Sequence, residues 1–143
     1  MLRSLMAKLK VVTLLAPVAF TATVKSVGVD TAGFGSMFFN LMIGAFAFDG
    51  TDKVTITMQH SNTDVDGDYV DVKAGEAYNP EGGAALPAVM KVLDEAGDAD
   101  KTYNFHYLGS KQFARIVLTE AGTVSTIIAI QAVKGHPQQL PPA

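Results

Sequence analysis

The stretch Ser36-Met37-Phe38-Phe39-Asn40-Leu41-Met42-Ile43-Gly44-Ala45-Phe46 decides the reading of this chain, because its apolar residues fall on both alternating faces. Met37, Phe39, Leu41 and Ile43 occupy one side, and Phe38 and Met42 flank Asn40 on the other. A period of two with so few polar interruptions predicts a central strand of a layered β fold, not a helix. Half-buried alternation follows in Val54, Ile56 and Met58 against Thr55, Thr57 and Gln59, and the turn residues Asp49-Gly50-Thr51-Asp52 predict a hairpin between the two strands. Tyr103, Phe105 and Tyr107 then alternate with Asn104 and His106, followed by apolar runs at 113–119 and 125–133. Gly109-Ser110 and Ala121-Gly122 lie between these runs, so the pattern reads as a meander of at least five strands.

Shorter strand candidates lie at 22–25, 26–29, 69–73 and 89–93. The last has fair helical propensity after Pro87, but its Val89, Val92 and Leu93 sit in an otherwise β chain, which favours a strand. Strands at this spacing with Gly-rich turns predict an all-β fold, a β-sandwich or jelly roll of about eight antiparallel strands. Exposed loops are expected at 61–68, 74–87 and 94–101.

With 143 residues the chain suits one domain. It has no Cys, which excludes disulfides, thiol nucleophiles and thiolate metal sites. Only 17% of residues are charged against 48% hydrophobic, which excludes a disordered chain and leaves apolar surface for a partner to cover. The net charge of -3 is unevenly spread. Residues 1–29 hold Arg3, Lys8, Lys10 and Lys25 with no acid, whereas residues 49–100 hold twelve acids against three lysines. An acidic middle without a clustered basic face argues against nucleic-acid binding.

Residues 1–10 are cationic and residues 11–20 largely apolar, a pattern that partly mimics a secretory signal. Charge reaches Lys10, Pro17 interrupts the apolar run, and the run is shorter than the ~20 residues of a membrane-spanning helix. Residues 1–20 are therefore read as an N-terminal docking arm, 21–134 as the β-sandwich domain and 135–143 as an extended C-terminal tail, with no membrane partner.

Catalytic signals are thin. No G-x-S-x-G elbow occurs, and Gly33-Phe34-Gly35-Ser36 leads into a strand instead of a helix. His60, His106 and His136 are not spaced as a metal pair and read as structural or surface residues. The glycines show no phosphate-cradling spacing, so no cofactor is expected. The chain is read as non-enzymatic. Asp64-Val65-Asp66-Gly67-Asp68 is the sharpest polar cluster, and alternate carboxylates can turn toward one Ca²⁺, which takes roughly 6 to 8 oxygens. It departs from an EF-hand, since positions six and twelve counted from Asp64 are Tyr69 and Gly75. A solvated acidic loop is the plainer reading, with Asp64, Asp66 and Asp68 as calcium candidates. Lys111 and Arg115, four apart on one strand, are expected on the same face.

Five segments carry a family likeness: Met1-Leu2-Arg3-Ser4-Leu5-Met6, residues 28–34, Met58-Gln59-His60-Ser61, residues 107–116, and Val133-Lys134-Gly135-His136-Pro137. In order along nearly the whole chain they resemble a group of small proteins encoded among the head genes of tailed bacteriophages. That resemblance implies a β-sandwich that decorates or cements the capsid, with the major capsid protein and its own copies (dimer or trimer) as partners, on the outer surface of the phage head. A cement protein needs no active site; it needs arms and patches that become buried on assembly. Leu2, Arg3, Leu5, Met6, Lys8 and Lys10 of the arm, with His136, Pro137 and Leu140 of the tail, are the expected partner-binding residues. The alternative is a carbohydrate-binding or adhesive β-sandwich on a virion or cell surface, using the Asp64 to Asp68 loop with calcium or the aromatic strand of Tyr103, Phe105 and Tyr107.

Overall fold

In the computed structural model, which describes residues 8–79, 85–86 and 88–137, Ser36 to Ile43 of the decisive stretch lie in a ten-residue strand, Phe34–Ile43, in the interior of a sheet. Gly44 to Phe46 have already left it. In chain order the strands are β1 (Leu9–Phe20), β2 (Val24–Lys25), β3 (Val29–Asp30), β4 (Phe34–Ile43), β5 (Lys53–Ser61), β6 (Val70–Asp71), β7 (Ala77–Tyr78), β8 (Ala85–Leu86), β9 (Val89–Leu93), β10 (Thr102–Tyr107), β11 (Phe113–Ala121) and β12 (Thr126–Pro137). The fold is all-β with antiparallel pairing, and only two short 3-10 turns, at Asp66–Asp68 and Ala96–Asp98, interrupt the strands among the described residues. The expected strand at 89–93 is β9.

One sheet runs β1-β12-β4-β10-β7-β8. The other is built on β2-β11-β5-β6, with β3 also on β11 and β9 on β5. Their inner faces share one core, because period-two alternation turns every second residue inward. Phe39, Leu41 and Phe105 from the first sheet meet Ile56, Met58, Ile116 and Leu118 from the second, all 2% exposed or less. Each such side chain contributes ~1.5–3 kcal/mol by leaving water.

Two pairing expectations fail for one reason. β4 and β5 are not a hairpin: they lie in opposite sheets, joined by a crossover in which Phe48 is buried and packs edge-on to Phe46. The last three strands are not a meander, since β10 pairs with β4 and β7, β11 with β5, and β12 with β4 and β1. From β4 to β5, and through β10, β11 and β12, the chain alternates between layers, each strand burying its apolar side across the core from its chain neighbour. By contrast, β5 with β6 and β7 with β8 do pair in order. Lys111 precedes β11 and so does not share a strand with Arg115.

The arm drawn over residues 1–20 also changes. Leu9 to Phe20 is β1, the edge strand of the first sheet, paired along β12 from Leu9↔Gly135 to Phe20↔Thr126. A break in register between Thr13 and Leu15 sends Leu14 into the core at 4% exposure, and the Leu14 carbonyl accepts a hydrogen bond from Val27 N at 3.3 Å. The apolar run is thus paired into its own sandwich, with Leu14 and Phe20 buried and Val11 and Val18 left exposed. Bulges and Pro17 also blunt the edge against further strand pairing. At the other end, Gly135, His136 and Pro137 belong to β12, so the sandwich extends past residue 134.

Candidate functional site

The pairing of Leu9 with Gly135 places the start of β1 and the end of β12 at one corner of the sandwich. Residues 1–7 lead into that corner and residues 138–143 lead away from it. Lys8 is exposed there, and Lys10 stands directly opposite Lys134. His136 is exposed with φ at 50°, and its Nδ1 lies 2.7 Å from Ser36 Oγ. Gly35 accommodates this bend, because a Cβ there would sit 3.2 Å from His136 Cβ. Pro137 pairs in register with Phe34. The structure therefore brings Lys8, Lys10, His136 and Pro137 together, while Leu2, Arg3, Leu5, Met6 and Leu140 lie outside the described residues.

The corner is basic on an acidic chain. Lys134 points inward, is 8% exposed, donates from Nζ to the Asp30 carbonyl at 3.1 Å and lies 4.5 Å from the centre of the Phe34 ring. Burial, then the charge of Lys10, pushes its ammonium pKa down, and Asp30 only partly offsets this. The Asp30 carboxylate is already engaged: Oδ1 accepts from Ala32 N at 2.9 Å and from Gln112 Nε2 at 3.1 Å. What this geometry can do is present the exposed Lys8 beside the joined ends of β1 and β12, with Lys10 and Lys134 behind it. The sequence marks the two ends separately; nothing in the pattern shows that they meet, because Leu9 and Gly135 stand at opposite ends of the described chain.

The acidic loop is not gathered round a common centre. Asp64 Oδ1 accepts from Tyr69 Oη at 2.7 Å, Asp68 Oδ2 accepts from Thr63 Oγ1 at 2.6 Å, and Asp66 Oδ1 takes Lys25 Nζ at 2.9 Å and Arg115 Nη1 at 2.7 Å. The three calcium candidates thus each serve a different protein donor. Among the described residues no group of three His, Asp or Glu is placed to hold a metal. Hydrogen bonds from Lys25 and then Arg115 hold the Asp66 carboxyl below its usual range. Burial and then the Asp64 carboxylate push the Tyr69 phenol far up. Arg115 is the residue that the sequence reading left without a role. It is 6% exposed, lies 4.0 Å over the Tyr69 ring, and donates from Nε and Nη2 to Gln59 Oε1 at 3.0 and 2.8 Å. An arginine between Ala114 and Ile116 in a strand was the available signal.

The histidines divide as residues of structure and surface. His60 is 3% exposed, with Nδ1 2.8 Å from Tyr107 Oη and Nε2 3.7 Å from Glu76. Tyr107 Oη is itself tied to the backbone of Lys111, which encloses the cluster. Desolvation lowers the His60 pKa against the opposing pull of Glu76. His106 faces outward, stacked on Phe38.

No protein-family model matches the chain, and no curated protein does. Among solved structures, one described as the structure of infectious bursal disease virus Gx strain superposes at a TM-score of 0.41 and 12% identity, over 94% of this chain and 34% of that one. The chain thus spans about a third of the length of that viral chain. The architecture stated above rests on the pairing registers of the two sheets.

Proposed function

We propose that this chain is a non-enzymatic structural protein of a virion, a decoration or cement protein that binds the outer surface of a tailed-bacteriophage head and braces contacts between neighbouring major capsid protein capsomers. The observation that carries the reading is the Leu9↔Gly135 pairing, which delivers both terminal segments to one corner. Two clasps from a single point gain from effective concentration: once one segment is seated, the other binds intramolecularly. Lys8 and Lys10 add positive charge at that corner, and Arg3 lies in the segment that precedes them in sequence. The sequence likeness to phage head proteins supplies the class of partner.

The fold also sets where the test must cut. Removing residues 1–10 would shorten β1, whereas removing 1–7 leaves its pairing intact. Variants lacking residues 1–7, residues 138–143, or both are compared with the full chain for occupancy on purified heads stripped of the protein. The double deletion is expected to lower occupancy by roughly 10-fold or more through lost avidity, with the melting temperature unchanged. Undiminished occupancy would refute the corner as the grip. The calcium-dependent adhesive alternative finds no assembled cation site among the described residues.

A further inference from the structure

The outward side of the β4 sheet carries bands of uncharged residues across five strands. One row of directly paired positions reads Val11, Val133, Phe38, His106 and Tyr78, from β1 through β12, β4 and β10 to β7. The His106 ring lies 5.4 Å from Phe38 and edge-on to Tyr78 at 5.5 Å. The next row is Thr13, Gln131, Asn40 and Asn104, joined by hydrogen bonds from Gln131 Nε2 to Asn40 Oδ1 at 3.1 Å and from Asn40 Nδ2 to Asn104 Oδ1 at 2.7 Å. Beyond it Ala129, Met42 and Thr102 pair, and Ile127 closes the face. No Asp, Glu, Lys or Arg occupies these rows; Lys10 and Lys134 have the opposite parity and turn inward. The outer side of the β5 sheet is different, bearing Lys25, Asp30, Lys53, Asp71 and Arg115.

Large apolar side chains stand open on the uncharged face: Ile127 is 58% exposed, and Met42 and Val11 are each 48% exposed. With strands ~4.8 Å apart and a rise of ~3.3 Å per residue, the patch measures roughly 19 Å by 20 Å at its widest. Its flat area is roughly half the ~800 Å² per partner of a standard interface, the size of a weak, reversible contact. Where β1 bulges, a notch of about 80 Å³ opens between Thr13, Leu15 and Pro17 on one side and Met42, Ala129 and Gln131 on the other, room for the end of one incoming side chain.

We propose that this face is the self-association surface of the protein, on which a second copy lays its own β4-sheet face about a two-fold axis. Two chains of net charge -3 repel one another, and this face lets them meet with no formal charge buried on either side. A two-fold pairs a patch with itself, so its chemistry must be self-complementary. Apolar rows bracketing an amide ladder meet that condition, since apolar lies on apolar and each amide offers both donor and acceptor. The face is separate from the terminal corner, so this inference stands whether or not the corner grips a shell.

Sedimentation equilibrium of the full chain over a concentration series is the test, with Met42→Lys and Ile127→Lys as face variants and Val65→Lys, 57% exposed in the acidic loop, as control. The expected result is a dimer whose dissociation constant rises roughly 10-fold or more in either face variant, from one unpaired charge at the interface, and is unmoved in the control. Hydrogen exchange on the unaltered protein covers the case in which a lysine variant loses its fold: protection rising with concentration along β1 and β12 supports the face. A monomer at every concentration overturns the proposal, as does a dimer that both lysines leave intact. Protection of this face that appears only on phage heads overturns it too, because the occupant is then a shell subunit.

Discussion

The guanidinium of Arg115 reaches across 49 residues of chain to Asp66, Nη1 to Oδ1 at 2.7 Å, and clamps the acidic loop onto the outside of the β5 sheet. The same side chain covers the Tyr69 ring and binds Gln59, so the loop is tied down by a cation of the protein itself. Arg115→Ala should cost about 2 kcal/mol of stability, through lost packing of its buried stem as much as lost charge. Urea denaturation measures it, and a loss below a few tenths would mean the clamp is idle.

Because Asp64, Asp66 and Asp68 are spent on Tyr69, Lys25 with Arg115, and Thr63, calcium should leave thermal stability unmoved. A ligand that binds only the folded state raises the melting temperature with its concentration. A melting temperature that climbs along a calcium titration and returns with chelator would show that the loop rearranges into a site.

Acidification should weaken the fold through His60. Its pKa is lower in the folded chain than the ordinary 6.5, so the folded state holds fewer protons than the unfolded one. Its contribution is complete above pH 6.5 and is lost as pH falls below that value toward the folded pKa. His106 is lowered in the same direction by its own desolvation. Unfolding free energy should therefore decline between pH 7 and 5, and His60→Gln should flatten that slope. An unchanged slope in the variant would place the acid sensitivity elsewhere.

Lys134 offers the opposite kind of change. Its ammonium is buried opposite Lys10, with a backbone carbonyl and an aromatic ring for company. Replacing a poorly compensated buried charge by an apolar side chain of similar length is neutral or stabilising. Lys134→Met should raise stability by about 1 kcal/mol at pH 7, while Lys134→Ala should lower it by leaving a void. Chemical denaturation of the pair tests this, and a clear loss in the Met variant would show that the Asp30 contact outweighs the burial.

Gly122 joins β11 to β12 at φ +74, where a Cβ would press on Asp52. Asp52 Oδ1 also accepts from Thr123 N at 2.9 Å, so the neighbour cannot easily move away. Gly122→Ala should cost roughly 1–3 kcal/mol, read as a drop in melting temperature. No drop would mean the turn relaxes.

Alternation in 36–46, 54–59 and 103–107 made the strands legible, and the inward residues it names, such as Phe39, Ile56 and Phe105, are the buried ones. The absence of Cys and the scatter of His likewise limited the chemistry from the start. Local pattern could do this because period two is a property of a strand's own backbone, whatever it pairs with. It could not tell which strand lies beside which. β4 and β5 look like a hairpin from their turn yet belong to opposite layers, and residues 9–20 look like a free greasy arm yet complete a sheet with β12. Arg115 and Asp66, Leu9 and Gly135, and the uncharged band from Val11 to Tyr78 exist only through partners far along the chain. The amino-acid order settled which residues turn inward. The fold decided which of them meet, because strand pairing is a contest among all available backbone edges and is won by the arrangement that buries the most apolar surface.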